Sequence, residues 1–77
     1  MSRHGTREER EEVARNLRRL MEVRGLTPKA LCWLLGYGPE RMQTVMSWLT
    51  AEVMPSPMSI SMLCVSLECE ECEILGR

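Results

Sequence analysis

Three of the four prolines in this 77-residue chain follow a residue that opens helices: Thr27-Pro28, Gly38-Pro39 and Ser56-Pro57. Proline has a fixed φ and no amide donor. It therefore suits the first position of a helix and disrupts the interior of one. No helix runs through these steps, so the chain is divided into short pieces. Between the steps the apolar residues recur at helical spacing and nowhere alternate as in a half-buried strand. There is no internal repeat or low-complexity tract. The expected fold is all-α: a compact bundle of about five short helices.

The boundaries are written locally. In "TREE", Thr6 can accept from the amide of Glu9 while the Glu9 side chain reaches back, a capping box that starts the first helix. Val13, Leu17, Leu20 and Met21 form its apolar stripe, and Gly25 supplies a left-handed stop on which Leu26 folds back. Thr27 and Pro28 open a two-turn second helix that Gly36 ends. The third helix is expected from Pro39 to about Ala51, with Met42, Val45, Met46 and Leu49 at i, i+3, i+4 and i+7. "MPSP" breaks it. Ser56 and Pro57 then open a fourth helix carrying Ile60, Leu63, Cys64 and Leu67, and "ECEECEILGR" is expected to form a short fifth.

A chain of this length makes one domain with a modest core, so a partner subunit that covers more surface would help it. Residues 6–77 are expected to form that domain and residues 1–5 a basic arm. The net charge of −1 argues against holding nucleic acid by bulk attraction, but the charge is polarised. Residues 1–30 carry +3, residues 31–65 carry −1 and residues 66–77 carry −3. No apolar run approaches the ~20 residues of a membrane span, and the N-terminus lacks the apolar core of a signal peptide. A cytoplasmic protein with four reduced cysteines is expected.

The order "NLRRLMEVRGLT", "LCWLLG", "VMSW", "MPSP", "MLCVSLE" resembles the lambda-repressor-like, or XRE-type, helix-turn-helix family over roughly residues 13–75. The family pattern usually has about three fewer residues between Gly36 and Val45. Two registers follow. In one Met42 takes the buried aliphatic place; in the other "YGP" lengthens the turn, which the helix-start signal at Gly38-Pro39 favours.

The resemblance implies a small sequence-specific DNA-binding regulator of the phage-repressor type, acting on double-stranded DNA as a homodimer. The third helix would enter the major groove and present Arg41, Met42, Gln43, Thr44, Met46 and Ser47. Arg41 suits guanine and Gln43 suits adenine, whereas Met reaches only a thymine methyl. Thr27 and Lys29 would hold phosphates, and Arg3 and Arg7 of the basic start would add an arm. Apart from the resemblance, the adaptability of methionine makes Met58 and Met62, with Ile74 and Leu75 of the tail, candidates for a dimer or partner interface, the alternative being simple core filling.

Other chemistry finds little footing. The arginines of the first helix are interleaved with Glu8, Glu9, Glu11, Glu12 and Glu22 and read mainly as surface pairs. Cys64, Cys69 and Cys72, with Cys32 or His4, have the count for a zinc site. Cys32 and Cys64 nevertheless sit at core positions and read as small apolar residues, so no metal or other cofactor is expected. The chain has one His, no Asp and no recognisable nucleophile context, so an enzyme is not expected. Trp33 and Trp48 read as core or rim packing, with an interface role as the alternative for Trp33. The sparse charge of the third helix leaves a second reading, an interaction module that binds a host or partner protein without reading DNA.

Overall fold

The computed structural model describes residues 5–76. They form five α-helices, α1 (Arg7–Val23), α2 (Pro28–Leu34), α3 (Met42–Leu49), α4 (Pro57–Leu67) and α5 (Glu71–Leu75), with a 3-10 turn at Pro39–Arg41 ahead of α3. No strand occurs among the described residues. The bundle measures 31 × 24 × 19 Å.

Helix α1 is the spine, with α3 and α5 packed against it; α2 lies on α3, and α4 on α5. Its stripe of Val13, Ala14, Leu17 and Met21 is buried, as the apolar spacing requires. Leu31 from α2, Val45 and Trp48 from α3, Leu63 and Leu67 from α4 and Ile74 from α5 complete one continuous core. Each fully buried Leu or Ile contributes about 1.5–3 kcal/mol of transfer free energy, and Leu17, Leu31, Leu63, Leu67 and Ile74 are all at 0% exposure.

The caps form where the sequence places them. Thr6 and Glu9 make a reciprocal capping box, and Thr27 and Ser56 accept from Ala30 and Ser59. Gly25 is left-handed at φ 66°, and the Leu26 amide donates to the Met21 carbonyl at 2.8 Å. The third helix departs from expectation at both ends. Pro39–Arg41 is a 3-10 turn rather than α-helix, and the α-helix ends at Leu49, with Ala51 left-handed at φ 65°. The connection between α2 and α3 thus runs through Leu35, Gly36, Tyr37 and Gly38 into a tight turn.

Candidate nucleic-acid interface

Helix α2 opens with Thr27 in extended backbone, its hydroxyl accepting from the Ala30 amide at 3.1 Å. Lys29, one residue into the helix, is exposed. The helix closes with the Tyr37 amide on the Cys32 carbonyl at 2.9 Å and Gly36 left-handed at φ 75°. This closure directs the Tyr37 ring onto Trp48, edge to face, with centroids 6.3 Å apart. The Arg41 guanidinium lies over the Tyr37 ring, 4.9 Å from its centroid. A buried Trp, a half-buried Tyr and an exposed Arg therefore form a short stack. Cation–π contact holds the one cation of the turn in a limited set of directions at the surface.

Along α3, Gln43 and Thr44 are exposed, whereas Val45, Trp48 and Leu49 face the core. Met42 and Met46 are half-buried and look toward α2. Met42 shares a cleft of about 640 Å³ with Lys29, Cys32, Trp33, Tyr37 and Pro39. Met46 shares a shallower one with Arg18, Leu26, Pro28 and Thr50. The first cleft lies between α2 and the start of α3, and the second between α1 and the later part of α3, with Pro28 at its edge. The Cys32 thiol donates to the Met42 sulfur at 3.7 Å, closing the cleft floor, and burial pushes the Cys32 thiol pKa up.

The structure distributes the expected DNA contacts unevenly. Lys29, Arg41, Gln43 and Thr44 are accessible around the α2–α3 connection. Ser47 is half-buried, and its hydroxyl donates to the Thr44 carbonyl at 2.6 Å, so its proton is committed within the helix. Arg7 sits at the start of α1 and pairs with Glu11 at 3.3 Å. Arg3 lies outside the described residues. The chain leading from it enters the fold at Gly5, whose carbonyl accepts from Arg10 Nη1 at 3.1 Å while Arg10 Nε donates to the Ala51 carbonyl at 3.1 Å. The described chain thus begins at the far end of α3 from the α2–α3 turn.

The arginines of α1 were expected mainly as surface pairs, and their partners are mostly carbonyls. Besides Arg10, Arg18 donates to the Leu49 carbonyl at 2.6 Å, Arg19 to Asn16 Oδ1 at 3.3 Å and Arg24 to the Glu68 carbonyl at 3.2 Å. Two of these cations therefore meet carbonyls at and just beyond the C-terminus of α3, where the helix dipole is negative.

The expected pairing residues separate likewise. Met58 is 75% exposed and Met62 half-buried, but Ile74 is fully buried and Leu75 packs partly against the core. Ile74 is held inward because the Asn16 amide donates to its carbonyl at 2.9 Å, docking α5 on α1. It offers nothing to a second subunit. In its place stand Leu34 and Val65, which with Met58, Ser61, Met62 and Ser66 surround a hollow of about 330 Å³. Residues 57–67 contain no charged side chain, so the exposed face of α4 carries only apolar residues and serines, a signal legible in the sequence. Trp33, expected in packing, is 76% exposed at the rim of the larger cleft, whereas Trp48 is buried. No group of three or more metal-ligating side chains converges among the described residues, and no helix there is long and apolar enough to cross a membrane.

Comparison with family models, curated proteins and solved structures finds no match to this chain.

Proposed function

We propose that this protein is a small DNA-binding transcriptional regulator in which α2 and α3 act as a helix-turn-helix. The observation that carries the reading is the surface around the α2–α3 connection. Arg41, stacked on Tyr37, and the exposed Gln43 and Thr44 stand at the start of α3, with Lys29 on the neighbouring turn of α2. Arg41 and Gln43 have the donor and acceptor patterns for guanine and adenine edges in the major groove, and Lys29 supplies phosphate attraction. Two copies would place two such helices on one duplex, meeting through the charge-free outer side of α4 beside Leu34. The resemblance to lambda-repressor-like domains supports the same assignment of roles.

The test is a pair of substitutions titrated against the same duplex. Arg41→Ala is expected to weaken specific binding by about 1–3 kcal/mol and to relax preference at one base pair. Lys29→Ala is expected to weaken binding evenly across sequences and to lower the salt dependence. Unchanged affinity in both variants would remove α2 and α3 from the interface.

One observation favours the second reading, a partner-protein module. The 640 Å³ cleft beside the proposed reading helix is walled by Trp33, Tyr37, Pro39 and Met42, with Trp33 76% exposed. Exposed aromatic anchors next to an apolar cleft are typical of protein contacts. Stoichiometric capture of a protein that Trp33→Ser abolishes, with no retention on DNA, would decide for it.

A further inference from the structure

Helix α4 ends in a left-handed residue, Glu68 at φ 52°, whose amide donates to the Val65 carbonyl at 3.3 Å. One residue later the Cys69 amide donates to the Cys64 carbonyl at 3.0 Å. These are the two bonds of a Schellman closure, which brings the side chain near the helix end against that of the residue two past it, normally an apolar contact. Here both members are cysteines. Both side chains are half-buried, and the closure sets them beside each other. The other two thiols are placed differently: Cys32 is buried beside Met42, and Cys72 is exposed on α5.

We propose that Cys64 and Cys69 are a modification site, a dithiol that low-molecular-weight disulfides oxidise to an intrachain disulfide across the α4–α5 corner. The thiolate of one cysteine attacks a sulfur of the small disulfide, forming a mixed disulfide and expelling one small thiolate. The thiolate of the second cysteine then attacks the protein sulfur of that mixed disulfide, forming the Cys64–Cys69 bond and expelling the other small thiolate. The two protons lost by the cysteines appear on the two released thiols. Two electrons pass to the small disulfide, which is the oxidant consumed. The second step is intramolecular because the helix closure sets residues 64 and 69 against each other, so the mixed disulfide is short-lived. The bond would also fasten a corner that Arg24 grips from the end of α1, through the carbonyl of Glu68 at 3.2 Å and its carboxylate at 3.5 Å.

The surroundings set the rate. Burial pushes both thiols up, Cys69 to about 11; the Cys64 thiol and the Glu73 carboxylate add to the Cys69 shift, and Arg24 opposes it. Glu71, Glu70 and Glu73 act on Cys64 in the same upward sense. Only the thiolate attacks, so exchange is slow at neutral pH and its rate rises by roughly tenfold per pH unit below the thiol pKa.

The test uses the full chain with glutathione disulfide at pH 7, 8 and 9, acid quench, alkylation of remaining thiols and peptide mapping by mass spectrometry. The expected product is a chain lighter by two hydrogens with a Cys64–Cys69 link, formed faster at each higher pH and formed equally in Cys72→Ser. Cys69→Ser, checked for its helical circular dichroism, is expected to stop at a stable glutathione adduct on Cys64. Stable adducts on the unmodified chain, a link through Cys32 or Cys72, or no reaction at pH 9 would each overturn the assignment.

Discussion

Asn16 shows how much one side chain decides here. It is the buried polar residue of a helix otherwise buried through Val13, Ala14, Leu17 and Met21, at 5% exposure, and its amide is satisfied by the Ile74 carbonyl at 2.9 Å. Replacing it with Leu leaves that carbonyl without its partner, at a cost of about 1–3 kcal/mol. The urea midpoint of Asn16→Leu is expected to fall accordingly, and α5 amides to exchange faster than those of α4. An unchanged midpoint would mean that α5 docks by apolar contact alone. Cys69 gives a second residue-scale prediction. Its folded pKa lies near 11, above the ordinary thiol value near 9, so the folded state keeps its proton where the unfolded chain has lost it. The raised pKa therefore leaves stability unaffected below pH 9 and lowers it from pH 9 toward 11. Cys69→Ser is expected to flatten that alkaline loss in melts recorded under reducing conditions. Neither effect was legible in the sequence: no local pattern encodes a contact between residues 16 and 74, and the Cys69 shift comes first from its burial in the folded chain.

Elements were more legible than their contacts. Thr6 with Glu9, Thr27 with Pro28, Ser56 with Pro57 and Gly25 each act within one turn of chain, so their effect is local and the helices start and stop where those residues stand. The end of α3 was not legible. Ala51 and Glu68 take left-handed backbone without being glycine, and nothing in their side chains announces it. What supports α3's end is remote: Arg18 on the Leu49 carbonyl and Arg10 on the Ala51 carbonyl. Charged donors to such carbonyls are worth about 1.5–3 kcal/mol. Arg18→Met, which keeps most of the apolar stem, is expected to lower stability toward the small end of that range. Amide exchange should quicken first at residues 50–53, whereas exchange quickening only in α1 would contradict the role given to Arg18. The α2–α3 connection was partly legible. Gly38-Pro39 marked a helix start, but no local signal distinguished a 3-10 first turn from an α-helical one.

At the scale of the molecule, the apolar surface is where sequence and structure differ most. Leu31, Cys32, Trp33, Leu34 and Leu35 are five consecutive apolar residues at and just past the end of a two-turn helix, and such a run cannot all face one core. Trp33 and Leu34 are the ones left out, at 76% and 53% exposure, and Met58 and Val65 continue the surface on α4. Under the proposed pairing, Met58 and Val65, beside the 330 Å³ hollow, would meet the same face of a second copy. Val65→Asp changes a residue that is 80% exposed, so it is expected to leave the fold intact and to turn a concentration-dependent dimer into a monomer in sedimentation velocity. A wild-type monomer at high micromolar concentration would contradict the pairing while leaving the DNA face to be judged separately. The face proposed to read DNA is small, with Lys29, Arg41, Gln43 and Thr44 accessible beside the exposed Thr27 and Glu40, because several arginines of α1 are engaged elsewhere in the fold. The central claim, that α3 reads DNA, is tested most directly by fluorescence-polarisation titration of the unmodified protein. The titration uses random-sequence duplex and DNA from its own gene neighbourhood, each at low and moderate salt. Binding with a steep salt slope and a clear preference for the neighbouring DNA is the predicted result. Absence of binding to either duplex at low salt would contradict it.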